Sequence, residues 1–378
     1  MSSAGNVIPL REAAPGGTVT IRLPGPFEMW HGGILPEVRL ACETWGKLNA
    51  ARDNAVLLFP GLSPGPHAAS SAENPTPGWW EYMIGPGRPI DTRHYFAVCV
   101  NSLGGCFGTT GPASIDPHTR EPYRLNFPEL AVEDIAASAH GAVEALGIER
   151  LHAVVGASLG GMAALAYAMQ FPDGLDDLVA ISSATRATPF TIALRSLQRE
   201  IIRNDPEWRS GFYAPGKGPR EGMRLARKLG LVSYRSAVEW QQRFARERVK
   251  TAAEEQTPFG IEFEIEAYLE HNAQKFVDCF DANAYLYLSR AMDRFDAAEH
   301  GGTVEAGLAR IQARRTLVIG VETDFLFPMQ QQEEIAASLY SLGRNVTFVP
   351  LASIHGHDAF LIDRERFAPV MARFFAEA

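Results

Sequence analysis

The sequence predicts a protein of the α/β class, in which a mostly parallel sheet carries helices on both faces. Three observations favour this class. Short apolar runs alternate with longer amphipathic segments along most of the chain, as is typical of βαβ units. One apolar run leads through a tight Gly-x-Ser-x-Gly turn into a helix-forming segment, which is a strand-turn-helix arrangement. The 378 residues, 46% of them hydrophobic, also suffice for a large buried core.

The individual elements follow from the same patterns. Apolar runs bounded by turn residues predict strands at residues 38–44, 54–60, 95–101, 151–155, 175–182, 315–321 and 345–351. Amphipathic or small-residue segments predict helices at residues 133–146, 161–169, 329–342 and 364–376. Glycine and proline are frequent at 64–87 and 104–128, which we predict to be loops.

The alternation stops in the segment 188–302. This stretch is helical in pattern and rich in arginine, glutamate and aromatic residues, with helices expected at 194–203, 222–231, 237–248 and 262–276. A separate helical domain is one interpretation. We favour a lid over the carboxyl ends of the strands, because the sheet pattern resumes afterwards. The expected organisation is an α/β core formed by 1–187 and 303–378, with 188–302 inserted as the lid.

Composition and charge narrow the functional classes. The net charge is −9 and no basic cluster is present, which argues against nucleic acids and acidic membrane surfaces as partners. No apolar run approaches the roughly 20 residues of a membrane span, and residues 1–16 lack the features of an export signal. The four cysteines show no paired metal-ligand spacing, so no metal site is expected. We therefore expect a soluble, cytoplasmic protein.

Ser158 is the candidate nucleophile. It is the central residue of Gly156-Ala157-Ser158-Leu159-Gly160, between a predicted strand and a predicted helix. The glycines allow the tight turn, because side chains beside its apex would clash. Such a turn holds the serine hydroxyl over the end of a sheet, where a substrate carbonyl can reach it.

A serine nucleophile needs a base, and the base needs a carboxylate to orient it. In the α/β-hydrolase fold these groups follow in the order serine, acid, histidine, each after a strand. Asp324 follows the strand 315–321 and His357 follows the strand 345–351, so they are the candidate acid and base. Glu322 is an alternative acid, although it lies nearer the strand body. His355 is an alternative base, which we interpret as a loop residue or a support for His357.

Two backbone N–H groups should bind the oxyanion of the tetrahedral intermediate. One is expected from Leu159, directly after the nucleophile. The other is expected from Leu62, in the turn Gly61-Leu62-Ser63-Pro64 that follows the strand 54–60. Pro64 has no N–H, so it stiffens the turn without donating to the oxyanion. A plain surface loop is the alternative interpretation of this turn.

Several motifs together resemble the homoserine O-acetyltransferase family, whose members are acyl-CoA-dependent acyltransferases of the α/β-hydrolase fold. They are the serine turn, the Asp324 turn, the sequence Gly356-His357-Asp358 and the glycine-rich segment 101–112. The resemblance covers residues 26–375 and includes the lid segments 205–208 and 226–228. Within the family the chain looks closest to the serine O-succinyltransferase branch, on residues 189–200 and 61–64. Relatives that act on homoserine typically have glycine in place of Pro64.

The resemblance implies an activity and a set of binding residues. It implies transfer of a succinyl group from succinyl-CoA to L-serine through an acyl-enzyme, in cysteine biosynthesis. By the family pattern Arg227 faces the substrate carboxylate and Asp358 faces its ammonium, with Tyr234 assisting. A solvated helix face is the alternative for Arg227. Arg195 is expected to bind the carboxylate of the succinyl group, and its alternative is an exposed arginine paired with Glu200 or a neighbour.

The turn 61–64 is expected to set the preference for the acceptor. The resemblance implies no permanently bound cofactor, acyl-CoA as co-substrate, and a homodimer formed through the lid. Two other activities stay open. One is O-acetyl transfer from acetyl-CoA to serine or homoserine, in cysteine or methionine biosynthesis. The other is ester hydrolysis by a carboxylesterase with the same triad.

Overall fold

A computed structural model describes residues 11–13, 17–214, 216–250 and 258–377. Within these residues, nine strands form the main sheet. In chain order the strands, with two small two-stranded sheets included, are β1 (Arg11–Ala13), β2 (Val19–Arg22), β3 (Phe27–Glu28), β4 (Ile34–Leu35), β5 (Arg39–Trp45), β6 (Ala55–Phe59), β7 (Ile84–Gly85), β8 (Ile90–Asp91), β9 (Phe96–Val100), β10 (Leu151–Ala157), β11 (Leu175–Ile181), β12 (Arg315–Val321) and β13 (Val346–Leu351).

The main sheet has the order β1-β2-β5-β9-β6-β10-β11-β12-β13. The six strands from β9 to β13 in this order are parallel, and β1, β2 and β5 continue the sheet antiparallel at the other end. Strand β10 lies inside the parallel part, where Val155 is level with Leu58 of β6 and with Val179 of β11. The carboxyl ends of the parallel strands therefore meet at one edge of the sheet.

The helices complete the alternation that the sequence predicts. They are α1 (Val132–Ala145), α2 (Leu159–Gln170), α3 (Pro189–Asn204), α4 (Arg220–Tyr234), α5 (Ala237–Phe244), α6 (Glu264–Val277), α7 (Ala282–Arg294), α8 (Val304–Ala309), α9 (Met329–Ser341), α10 (Ala359–Ile362) and α11 (Arg364–Ala376).

Apolar side chains form a core on each face of the sheet. Neighbouring residues of a strand point to opposite faces. Val154 accordingly belongs to the core that contains α1, α2 and α9, and Val155 belongs to the core that contains α11. Helices thus cover both faces of a mostly parallel sheet, and the predicted α/β class is confirmed.

Between β11 and β12 the described residues form helices α3 to α8. Helix α3 packs against α4 and α7, and α4 packs against α6. The side chain of Thr188 accepts a hydrogen bond from the N–H of Thr191 at the start of α3, so this helix begins five residues before the predicted position. Helix α5 ends earlier than predicted, at Phe244, because Ala245 has a φ of 43° that a helix cannot continue.

Some elements lie where the sequence analysis predicted none. Strands β1 to β4 precede the predicted sheet, and the predicted loop 64–87 contains β7. The predicted loop 104–128 ends near a 3₁₀ turn at Arg124–Asn126. The expectation about an export signal concerns residues 1–16, of which only Arg11–Ala13 are described. Among the described helices, none combines the length and apolarity that a membrane crossing requires.

Candidate active site

Ser158 lies at the apex of a strained turn between β10 and α2. Its φ of 58° and ψ of −123° fall outside the regions that most residues adopt. The turn leaves no room for larger neighbours. A Cβ atom on Gly156 would lie 1.9 Å from the carbonyl oxygen of Gly160, and one on Gly160 would lie 2.1 Å from that of Phe59. The glycines that the sequence motif contains are therefore sterically required.

The structure brings the three predicted triad residues into one chain of contacts. The Nε2 of His357 is 2.8 Å from the Oγ of Ser158, and its Nδ1 is 2.7 Å from Oδ2 of Asp324. A carboxylate accepts hydrogen bonds, so Nδ1 carries the proton and Nε2 is free to accept the serine hydroxyl proton.

Asp324 is itself held in place by the backbone. Its Oδ1 accepts hydrogen bonds from the N–H groups of Leu326 and Phe327, at 2.9 and 2.8 Å. These donors belong to the turn between β12 and α9, so the local chain orients the carboxylate. The other oxygen of Asp324 is thereby directed to the imidazole of His357.

The two alternatives from the sequence lie elsewhere. The side chain of Glu322 is exposed, and its backbone N–H continues the pairing of β12 with β13 by donating to Leu351. The Nδ1 of His355 is 3.3 Å from Oε2 of Glu239, on α5. The contacts of His355 thus connect the histidine loop to helix α5, while His357 contacts Ser158.

Aromatic rings pack against the imidazole of the triad, and all three triad residues are largely buried. Phe327 stacks on the imidazole of His357, with ring centroids 4.9 Å apart and an angle of 16° between the planes. Phe360 meets the same ring edge-on at 5.9 Å. Asp324, His357 and Ser158 are 3%, 4% and 8% exposed. The hydrogen bonds between the members of a buried triad are strong, because the surroundings screen its charges weakly.

The candidate oxyanion turn lies beside the nucleophile. Residues 61–64 follow β6, which pairs directly with β10, so the turn and Ser158 leave neighbouring strands at the same edge. Leu159 is the first residue of α2, where N–H groups have no partner inside the helix. The turn is tied to helix α4 as well, since Nη1 of Arg227 donates to the Oγ of Ser63 at 2.8 Å.

A cavity of about 120 Å³ opens onto Ser158 and His357. Its walls come from the strand-end loops and from the inner faces of α3, α4 and α7. The residues are Gly61, Leu62, Ser63, Pro64, Ser158, Leu194, Arg195, Gln198, Arg227, Ser233, Tyr234, Tyr285, Met292, Leu326, His357, Asp358, Phe360 and Leu361. All the residues that the sequence and the resemblance assigned to substrate binding therefore line one cavity with the nucleophile.

Arg227 presents its guanidinium to this cavity between two aromatic rings. The guanidinium carbon is 4.3 Å from the ring centre of Phe276 and 5.4 Å from that of Tyr234. Its Nε is buried and has no hydrogen-bond partner among the described residues. The solvated helix face that the sequence left open is therefore not observed, and the guanidinium is available to an anion. Burial raises the pKa of Tyr234 although the charge of Arg227 opposes this, so the phenol stays neutral.

Asp358 supplies an anion to the same cavity. Its Oδ2 accepts a hydrogen bond from Nε of Arg235 at 2.9 Å. Burial raises the pKa of Asp358 above its ordinary value, while the positive charges of Arg235 and Arg227, and that of His357 when its imidazole is protonated, act in the opposite direction. The cavity thus offers a cation and an anion to a small zwitterion.

Arg195 is buried and has a different partner from the one that the sequence offered. It is 5% exposed, and its Nε is 2.5 Å from Oδ1 of Asp293 on α7, whereas Glu200 is exposed. Its Nη2 is buried without a hydrogen-bond partner among the described residues. Unsatisfied buried donors are costly, which makes this nitrogen a place for an anionic ligand.

Sequence reasoning missed several residues of the cavity. Gln198 is 3% exposed and donates to the carbonyl oxygen of Ala226 at 3.1 Å. Its spacing from Leu194 and Arg195 is that of one helix face, which could have indicated it. The sequence carries no comparable signal for Tyr285 and Met292 of the cavity, or for Asp293, which pairs with Arg195 outside it. Within the described part of the chain, no group of three or more metal-ligating side chains is assembled.

Known proteins resemble this chain over nearly its full length. A family described as the alpha/beta hydrolase fold matches residues 54–351. A protein of Litchfieldella anticariensis named serine O-succinyltransferase is 59% identical over 95% of this chain and 98% of its own. One of Streptomyces lavendulae named L-serine/homoserine O-acetyltransferase is 54% identical over 97% of this chain and 99% of its own.

A solved structure of a related enzyme also resembles this chain. Homoserine O-acetyltransferase from Bacillus anthracis superimposes with a TM-score of 0.87 at 27% identity, over 94% of this chain and 97% of that one. The fold, the serine turn and the full-length relatives thus lead to the same group of proteins. The chain belongs to the α/β hydrolase fold family and, within it, to the homoserine O-acetyltransferase family of acyltransferases.

Proposed function

We propose that this protein is an L-serine O-succinyltransferase, which transfers the succinyl group of succinyl-CoA to the serine hydroxyl for cysteine biosynthesis. Acyl-CoA is a co-substrate, and the mechanism needs no resident cofactor. Because acyl-CoA is a cytoplasmic metabolite, we also propose a cytoplasmic location. The observation that carries the proposal is the buried guanidinium of Arg195, whose unpartnered Nη2 shares a cavity with Ser158.

In the first half-reaction the Oγ of Ser158 attacks the thioester carbonyl while Nε2 of His357 takes the hydroxyl proton. The N–H groups of Leu62 and Leu159 stabilise the oxyanion of the tetrahedral intermediate. When this intermediate collapses, the carbon–sulfur bond breaks and the CoA thiol leaves with the proton that His357 held. Ser158 then carries the acyl group as an ester.

In the second half-reaction the amino acid enters the same cavity. Arg227 binds its carboxylate and Asp358 binds its ammonium, which leaves the hydroxyl directed towards the ester. Tyr234 packs against Arg227 and helps to keep the guanidinium in place. His357 takes the hydroxyl proton, the substrate oxygen attacks the ester, and Ser158 leaves with the proton from the imidazole.

Two features support the choice of donor and acceptor. The carboxylate of a succinyl group can accept from Nη2 of Arg195, whereas an acetyl group offers that nitrogen no partner. The turn Gly61-Leu62-Ser63-Pro64 is braced by Pro64 and by the bond from Arg227 to Ser63. A stiff turn suits serine, whose hydroxyl lies one methylene closer to the α-carbon than that of homoserine.

Transfer requires that the acyl-enzyme meet the amino acid before it meets water. The triad is at most 8% exposed, and α3, α4 and α7 close the cavity above it. We therefore propose that 188–302 is a lid inserted between the core segments 1–187 and 303–378. A carboxylesterase would instead hydrolyse the acyl-enzyme at full rate without an amino acid.

The decisive assay crosses succinyl-CoA and acetyl-CoA with L-serine and L-homoserine and follows free thiol release. We expect the succinyl-CoA and serine pair to have the highest kcat/KM, and Ser158→Ala to abolish release. The name of the Streptomyces lavendulae relative favours O-acetyl transfer as the second candidate. A higher kcat/KM with acetyl-CoA would establish that candidate, and thiol release that no amino acid accelerates would establish the esterase.

We further propose that the protein is a homodimer formed through the lid. Large apolar side chains on the lid helices are exposed, namely Leu197, Leu225, Val232 and Val238, at 51%, 46%, 45% and 48%. Exposed apolar groups of this kind mark association surfaces. Light scattering should give twice the chain mass of 41.3 kDa. A mass of one chain at micromolar concentration would contradict the dimer.

A further inference from the structure

Arg235 links the lid to the loop that carries the candidate base. It follows the last residue of α4, and its side chain is 12% exposed. Its Nε donates to Oδ2 of Asp358 at 2.9 Å, and its Nη1 donates to Oε1 of Glu239 at 2.7 Å. A single guanidinium thus holds one carboxylate from the cavity and one from α5.

Two contacts with the backbone of the loop before His357 strengthen the same connection. The Oγ of Ser236 donates a hydrogen bond to the carbonyl oxygen of Ile354. Gly356 has a φ of 61°, and a Cβ atom there would lie 2.9 Å from the backbone nitrogen of Ser236. The chain at 235–236 and the loop before His357 therefore pack too closely for a side chain at position 356.

Arg235 leaves one oxygen of Asp358 available. Oδ2 is used by the guanidinium, and among the described residues no hydrogen-bond donor reaches Oδ1. Asp358 lines the cavity with Ser158, so the available oxygen belongs to the acceptor site. A carboxylate with one fixed oxygen is oriented before the ligand arrives, which lowers the entropic cost of binding.

We propose that Arg235 is a positioning residue for the acceptor step, which keeps the Asp358 carboxylate charged and oriented towards the ammonium of the incoming amino acid. This inference rests on the proposed function, in which Asp358 binds that ammonium. It adds a residue that touches no substrate itself. Glu239 completes the arrangement by fixing the other side of the guanidinium.

The charges around Asp358 explain why the arginine is needed. Burial favours the protonated acid and raises the pKa of Asp358, and the opposing charges are those of Arg235 and Arg227, joined by His357 when its imidazole is protonated. Among the residues that the structure describes, Tyr234 also faces Asp358, while Glu239 and His355 act on it through Arg235. Loss of Arg235 removes the first of the opposing charges, so the acid stays protonated to higher pH.

The test separates the two half-reactions in the wild type, Arg235→Met and Arg235→Lys. Rapid-mixing measurement of thiol release from succinyl-CoA reports acylation, and steady-state kinetics with varied L-serine report the acceptor step. Arg235→Met should raise the KM for serine about tenfold or more at pH 7 and change the acylation rate less than about threefold. Arg235→Lys retains the charge and should restore most of the serine affinity.

A pH series distinguishes positioning from simple damage to the fold. With Arg235→Met, Asp358 loses an opposing positive charge and its pKa is higher than in the wild type, so the KM for serine should fall more steeply with rising pH than it does in the wild type. Arg243→Met is the matched control. It removes an exposed guanidinium 4.0 Å from the same Glu239 and should leave both half-reactions unchanged.

The possible failures differ from one another. If the wild type transfers to neither serine nor homoserine, the proposed function fails and the inference fails with it. If the wild type transfers normally while Arg235→Met keeps its serine KM and pH profile, the inference alone is overturned. Equal losses in acylation and in the acceptor step, without rescue by Arg235→Lys, would also overturn it, because they indicate a structural role.

Discussion

The Nε2 of His357 lies 2.8 Å from the Oγ of Ser158, although 199 positions separate the two residues in the chain. The sheet order explains this proximity. Ser158 leaves β10, Asp324 follows β12 and His357 follows β13, and these parallel strands end at the same edge. The strained turn raises the serine towards the imidazole, which the loop after β13 brings over the sheet.

The carboxylate of Asp324 should be essential for the orientation of His357. The amide of Asp324→Asn offers Nδ1 either an N–H or a weaker acceptor, so it favours the tautomer of His357 whose proton is on Nε2. That tautomer cannot accept the serine proton, and we expect kcat to fall about 10⁴-fold. The matched control is Glu322→Gln, which changes an exposed carboxylate two positions away and should have nearly wild-type kinetics. Thiol release from acyl-CoA measures both. A larger loss in Glu322→Gln than in Asp324→Asn would contradict the assigned acid.

Arg195 should determine the choice of acyl donor. Arg195→Leu removes the unpartnered Nη2, and we expect kcat/KM for succinyl-CoA to fall about 10- to 100-fold, as for one charge-assisted hydrogen bond. Acetyl-CoA has no acyl carboxylate and should be affected far less. Arg203→Leu, on the exposed side of the same helix, is the control and should leave the donor ratio unchanged. Equal losses with the two donors would exclude this role for Arg195.

Pro64 should restrict the acceptor to serine. Pro64→Gly frees the backbone of the turn 61–64, and we expect the ratio of kcat/KM for homoserine to that for serine to rise about tenfold, the usual effect of one methylene. Kinetics with the two amino acids at fixed acyl-CoA measure this ratio. The control is Pro77→Gly in the exposed loop that follows. An unchanged ratio in Pro64→Gly would show that other residues select the acceptor.

His67 should make stability depend on pH in the segment after that turn. Its Nδ1 is 2.7 Å from Oε2 of Glu43, and its Nε2 is 2.8 Å from the carbonyl oxygen of Thr76. A neutral imidazole has one N–H, so both contacts are hydrogen bonds only in the protonated ring. Burial lowers the pKa of His67, but its bonds to Glu43 and Thr76 raise it more, to above the ordinary 6.5.

A group whose pKa is raised in the folded state contributes its full stabilisation at pH values below its pKa in the unfolded chain. This stabilisation is lost as the pH rises through the pKa in the folded state. The difference in Tm between the wild type and His67→Gln should therefore be largest at about pH 6 and should decrease at alkaline pH. Thermal unfolding from pH 6 to 9 measures this difference. His118→Gln, whose side chain is 76% exposed, is the control. A difference that is constant with pH would refute the protonated pair.

Local patterns in the sequence were sufficient to predict the fold class and the turn at Ser158. The turn needs glycine at Gly156 and Gly160 because backbone atoms lie close by, and this requirement is contained in a few consecutive residues. The order of Asp324 and His357 after successive strands was also visible, because strand periodicity is local. Strands β2 and β5 show how far such patterns reach. Strand β5 coincides with a clear apolar run and was predicted, whereas β2 coincides with none and was not predicted.

What the sequence by itself determined was thus the alternation of elements, the serine turn and the residue types at the strand ends. Only the tertiary structure decided that Arg195 pairs with Asp293, that Arg227 reaches Ser63, and that Arg235 holds Asp358. Turn chemistry and helix periodicity depend on neighbours within a few positions. The direction of a long charged side chain depends instead on which distant helices pack around it and on how much water they exclude.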